Sequence, residues 1–136
     1  MSSLYTTTFI NKGGRDGYCE EKNGQHKFTV VNVLDGKDQP AGTTNPEQLF
    51  AAAIASCYNG AFLYFLDEKG LAADVTVTVE LSLEPDPEDE ENRLHAVIKV
   101  DAPELSEQDL TEVKKLACDK SPYTKIFAGK AKLELV

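Results

Sequence analysis

Between residues 74 and 83 the chain alternates without a break. Val75, Val77, Val79, Leu81 and Leu83 fall on one side; Thr76, Thr78, Glu80 and Ser82 fall on the other. A period of two marks a strand with one buried face. Arg93 to Val100 reads as its returning partner. Between them, Glu84 to Asn92 holds Pro85, Pro87 and six acidic residues, a solvated turn rather than a binding site. Nearer the N-terminus, residues 3–10 alternate weakly and stop at Asn11-Lys12-Gly13-Gly14. Residues 17–22 and 26–34 flank Asn23-Gly24, a dipeptide that favours a hairpin between two apolar-bearing runs. The first third therefore predicts a three-stranded meander, followed by a loop over 35–44 with Gly36, Pro40 and Gly42.

The period changes after Thr44. Asn45 suits a helix N-cap, Pro46 the first helical position, and Gln48 the capping-box position. The predicted helix runs to about Lys69, with Gly70 as its stop. Apolar residues surround it, which places it centrally in the fold. A second helix opens at Ser106, with Asp109 three residues on and Leu110, Val113, Leu116 and Ala117 as its inner stripe. Pro122 interrupts it. Ser121 reads as a cap for a short helical piece beyond, and residues 131–136 read as a last strand. The order is βββ-α-ββ-α-β, an α+β class, in a single domain over 1–136 with no repeat or linker. The meander needs something to cover its apolar face, and an intertwined dimer supplies it.

The bulk numbers narrow the function. The chain has 136 residues, 41% hydrophobic and 27% charged, with a net charge of -9. That excess of acid argues against nucleic acid and against anionic membrane surfaces as partners. No N-terminal basic segment leads into an apolar one, so a secretory signal is not expected. The apolar run within 49–66 carries Ser56, Asn59 and Gly60, and reads as a core helix rather than a membrane span. Three cysteines without an export signal imply a reducing cytoplasm, where disulfides are more often transient than structural. No spacing suits a metal, and no resident cofactor is expected.

The candidate chemistry lies at Cys57, in the middle of the first helix. A cysteine in an apolar helix is usually inert core; two other features change that reading. One is a basic residue on a glycine turn, Gly13-Gly14-Arg15-Asp16-Gly17. The other is a second thiol, Cys118, just before Ser121-Pro122-Tyr123. A thiol reacts as its thiolate, and a free cysteine titrates near ~8.5. The helix N-terminus cannot help: Cys57 lies twelve residues past Asn45, roughly 18 Å along the axis, beyond the reach of the dipole. Apolar burial disfavours the charged sulfur. A cation must therefore come from elsewhere, and Arg15 is the candidate, because a guanidinium stays charged when partly buried.

Four segments carry a family resemblance: Gly13 to Gly17, Thr44 to Ala52, Ala55 to Ala61, and Pro122-Tyr123-Thr124. Together they resemble the OsmC/Ohr family, in its organic hydroperoxide resistance branch. The resemblance implies an intertwined homodimer with two long central helices wrapped by sheets. It implies an antioxidant thiol peroxidase of the oxidative-stress response that reduces organic and fatty-acid hydroperoxides, recycled by a lipoylated protein or another dithiol. By position it assigns Cys57 as the peroxidatic thiol, Arg15 as its activating cation and Glu47 as the carboxylate holding that arginine. Glu47 is ten residues from Cys57, about 15 Å along one helix. For one arginine to bridge both, Glu47 is expected from the other subunit.

One position departs from the family pattern. The resolving cysteine of the family directly precedes the proline, and here that position is Ser121. Either Cys118 has taken over that role from one turn earlier or it is a coincidental core residue. The departure keeps two alternatives open: a one-cysteine peroxidase needing an external thiol, and an apolar-ligand-binding stress protein with weak peroxidase activity. Phe50, Ile54, Tyr58, Phe62 and Tyr123 are candidates to line an apolar substrate pocket beside the thiol, with plain core packing as the alternative for each. Cys19, His26 and His95 lie outside the motifs and carry no expected role.

Overall fold

A computed structural model describes residues 2–136. In chain order it contains β1 (Phe9–Lys12), β2 (Gly17–Glu21), β3 (Lys27–Val30), a 3-10 turn (Val33–Asp35), α1 (Pro46–Glu68), β4 (Thr76–Pro85), β5 (Asn92–Asp101), α2 (Glu107–Lys120) and α3 (Thr124–Phe127). The class is α+β with antiparallel sheets, as the block order predicts. The chain divides into two compact units, one ending at Leu49 and one beginning at Phe50.

In the first unit, β1, β2 and β3 form the predicted meander, with Ile10 opposite Glu20 and Cys19 opposite Phe28. The Asn23-Gly24 hairpin forms, and Asn23 Oδ1 accepts from Gln25 N at 3.0 Å. Two boundaries differ from expectation. β1 begins only at Phe9, and β3 stops at Val30, which bridges Thr44 while Val31 N bonds Thr44 O. Asn32 then caps the 3-10 turn through Leu34 N. β1 is exposed along its whole length.

The second unit holds the core. Ile54, Tyr58, Phe62 and Leu66 recur every four residues along α1 and are buried, one stripe of a helix. Tyr58, Phe62 and Leu66 cluster with Val100, Ala102, Val113 and Ala117. Every other residue of β4 is half-buried, and Val75, Val77 and Ile98 pack on that cluster. β4 and β5 pair from Thr76↔Asp101 to Pro85↔Asn92. In α2 the buried pair is Val113 and Ala117, with Leu110 packed beside them. Leu116, expected inside, is exposed, since it lies three residues from Val113 on the far edge of the stripe.

The helix ends follow their sequence signals. Asn45 Oδ1 accepts from Gln48 N at 2.8 Å, and Ser106 Oγ accepts from Asp109 N at 3.1 Å. At the end of α1, Gly70 takes a positive φ of 70°. Gly70 N then bonds Asp67 O, and Leu71 N bonds Leu66 O, the paired closure that a left-handed residue permits. Among the described residues, 131–136 form no ladder with another strand; Leu133 and Leu135 are exposed there.

Candidate active site

The cation is built first, by the turn between β1 and β2. Gly13 and Gly14 adopt φ of 88° and 62°, a region that side chains disfavour. A Cβ on Gly17 would stand 1.9 Å from the Lys12 carbonyl oxygen, so only glycine closes the turn. Asn11 brackets it, donating from Nδ2 to Gly14 O and Tyr18 O while Oδ1 accepts from Gly14 N. Asp16 anchors it: Oδ1 accepts from Asn32 N, and Oδ2 meets Lys37 Nζ at 2.5 Å. The Lys37 hydrogen bond, then the Asn32 backbone donor, hold this carboxyl below its ordinary range.

The turn projects Arg15 onto Glu47, in the first turn of α1. Nη1 donates to Oε2 at 3.0 Å, and Nη2 donates to Oε1, a two-point fork between planar groups. Hydrogen bonding to Arg15 holds the Glu47 carboxyl below the usual carboxylate range, and the same contact raises Arg15 further. Both partners belong to one chain. The fork therefore forms without a second subunit. The axial separation of Glu47 and Cys57 bears on a three-way bridge, not on this pair.

The thiol is built by the second unit. Cys57 is half-buried on α1, on the helix face it shares with Phe50, Ala53, Ile54 and Ala61 by helical spacing. Its Sγ lies 3.3 Å from Ser121 Oγ. Ser121 ends α2 in an extended conformation, φ -63° and ψ 129°, as the residue before a proline prefers. It does not cap α3: the residue at that N-cap is Tyr123, which makes no side-chain cap bond. Thr124 Oγ1 ties the corner, donating to Cys118 O at 2.6 Å and reaching Ser121 O at 3.2 Å.

Cys118 is exposed and a free thiol. It lines an open groove with Tyr58, Ile98, Thr111, Lys114, Lys115 and Asp119. The structure thus sets Ser121, not Cys118, against Cys57. The proposed pocket residues separate into two groups. Ile54 and Phe62 are fully buried and Tyr58 nearly so; these three are the packed stripe of α1. The Tyr58 hydroxyl donates to Lys114 O at 3.0 Å. Burial first, and the nearby Cys118 second, push that phenol up to about 12. Phe50 is half-buried and stacks on Phe127, ring centroids 6.2 Å apart, while Tyr123 is exposed. Phe127 is the site residue that sequence reasoning missed; Ser121 stands where the resemblance places the family's resolving cysteine, and it is the residue against Cys57.

The chain matches the family model described as OsmC-like protein over residues 36–136. It belongs to the OsmC/Ohr family, in the organic hydroperoxide resistance branch. Among its relatives is an organic hydroperoxide resistance protein-like 1 of Staphylococcus epidermidis. That protein is 36% identical over 140 residues, covering 99% of this chain and 96% of the relative. Among solved structures, the fold is similar to an organic hydroperoxide resistance protein OsmC of Legionella pneumophila. The TM-score is 0.83 at 29% identity, covering 98% of this chain and 97% of that one. It is similar also to the organic hydroperoxide resistance protein OhrB of Bacillus subtilis, with a TM-score of 0.82 at 28% identity and 98% of each chain covered.

Proposed function

We propose that this protein is a cysteine peroxidase that reduces organic hydroperoxides, alkyl or lipid, to alcohols. The observation that carries the reading is the fork between Arg15 and Glu47. These side chains, 32 positions apart, meet as the resemblance requires of a held cation and its carboxylate. The Cys57 thiolate attacks one peroxide oxygen. The O–O bond breaks, sulfur gains that oxygen as a sulfenic acid, and the departing alkoxide takes a proton to become the alcohol. Arg15 is the cation assigned to the thiolate and to the polarised peroxide. Phe50, stacked on Phe127, offers an apolar surface on the helix face of Cys57, suited to an alkyl substrate.

The working unit in this reading is a homodimer in the cytoplasm, recycled by a lipoyl-type dithiol on a partner protein. Exposed apolar side chains support the dimer. Leu63 and Tyr64 on α1, Leu94 and Val97 on β5, and Leu133 and Leu135 near the C-terminus all face solvent in the single chain. A two-stranded ribbon such as β4–β5 is marginal by itself. Ala52, Ser56 and Gly60 lie along an exposed edge of α1, where small residues permit close approach of a second helix.

The test is consumption of cumene hydroperoxide with dihydrolipoamide as reductant, comparing the protein with Cys57→Ser. Turnover should vanish while the cooperative unfolding transition remains. Turnover retained in the variant rejects the assignment. Absence of turnover in both, with saturable binding of a fatty acid, would favour the apolar-ligand reading instead.

A further inference from the structure

We propose that Ser121 makes Cys57 a one-cysteine centre: its hydroxyl donates to the thiolate and then holds the sulfenic acid until an external thiol arrives. This inference rests on the hydroperoxide reading above. Ser121 is 0% exposed, so its polar atoms must find partners inside the protein. The main chain of Ser121 is spent on the helix corner. Its N–H donates to Ala117 O, and its carbonyl accepts from Lys125 N and Thr124 Oγ1. Among the described residues, the partner of the side-chain oxygen is Cys57 Sγ at 3.3 Å. Against a thiolate, which can only accept, the hydroxyl must donate.

The same contact decides what happens after oxidation. A hydroxyl cannot form a disulfide. The other two sulfurs have different surroundings. Cys118 points into the exposed groove beside Tyr58, Lys115 and Asp119, and its carbonyl is tied down by Thr124. Cys19, on β2 of the first unit, lies 3.7 Å from Asn11 Nδ2. The Cys57 sulfenic acid therefore meets its thiol from outside. That thiol attacks the Cys57 sulfur, an S–S bond forms, and the oxygen leaves as water with the thiol proton. A second thiol then attacks the mixed disulfide, releasing reduced Cys57 and an external disulfide. A low-molecular-weight monothiol completes this in two encounters, a dithiol in one.

The experiment uses the full chain, reduced, with one equivalent of cumene hydroperoxide, read by intact mass and peptide mapping. The expected wild-type product is a gain of one oxygen at Cys57, trapped by dimedone. A monothiol should convert it to a mixed disulfide at Cys57, whereas a dithiol should return the free thiol. Cys118→Ser should give the same one-oxygen product. Ser121→Cys places a sulfur in contact with Cys57 Sγ, and the oxidised variant should lose two hydrogens, with positions 57 and 121 linked. Ser121→Ala should slow Cys57 oxidation about tenfold, the scale of one hydrogen bond to a charged group. A wild-type loss of two hydrogens with Cys57 joined to Cys118 overturns the proposal and leaves the peroxidase reading standing. An unchanged wild-type mass, with Cys57 still open to alkylation, overturns the peroxidase reading and the proposal with it. If Ser121→Cys does not fold, the wild-type and Cys118→Ser products decide between these outcomes alone.

Discussion

The two units hold their chemical groups by opposite means. In the first, Arg15 is fixed by charge and turn geometry: a glycine turn, the Asn11 bracket, the Asp16 anchor and the Glu47 fork. In this meander the fully buried apolar residue is Val30. In the second, Cys57 rides on a helix locked by Ile54, Phe62 and Leu66, and its polar neighbour is uncharged. Charge networks respond to pH and salt, whereas packed stripes respond to volume. The cation and the thiol should therefore fail under different perturbations.

The largest test of that contrast is Cys57→Ser, which should abolish hydroperoxide turnover while shifting the urea midpoint little. Phe62→Ala comes next: removing a fully buried ring should cost about 3–5 kcal/mol in urea unfolding, with the Arg15 turn keeping its amide protection if the units open separately. Glu47→Gln removes the countercharge but not the shape. A roughly tenfold loss in kcat/KM is expected, on the scale of one charge-assisted contact, with stability changed by under about 1 kcal/mol. An unchanged kcat/KM would detach Arg15 from the chemistry.

Acid should act on the first unit before the second. The Glu47 carboxyl is depressed in the folded chain by Arg15, so its contribution is present above the ordinary glutamate range near ~4.3 and is lost as pH falls through the lower folded value. Asp16 is depressed by Lys37 and follows the same sign. Hydrogen exchange at pH 3 against pH 6 should show the turn over 13–17 losing protection while the amides of Ile54 to Leu66 keep theirs. The smallest effect is Tyr58→Phe, which removes the bond to Lys114 O and should cost about 1 kcal/mol.

Local signals made much of this fold legible. Asn45, Ser106 and Gly70 marked helix ends because caps depend on a few neighbouring atoms, and the period-two run of β4 fixed its buried face. What failed depended on distant partners. A strand over 131–136 needs another strand to pair with, and none of the described residues pairs with it. The site was legible in part: Arg15 and Glu47 meet as the family resemblance requires. Ser121 was read both as the place of the family's resolving cysteine and as a helix cap, the local use of such a residue; its place against Cys57 fits the first reading. The contact of its hydroxyl with Cys57 joins residues 64 positions apart, which a local sequence pattern does not encode.

The β4–β5 ribbon ends in Asp86, Glu88, Asp89, Glu90 and Glu91, with no basic residue among positions 86–91. More than half of the net charge of -9 is thereby concentrated at one extremity. This negative tip acts as a colloidal guard for strands whose outward side chains include Leu94 and Val97. At the sequence pI of 4.7 the net charge of the whole chain vanishes, and precipitation should set in there well before either unit melts.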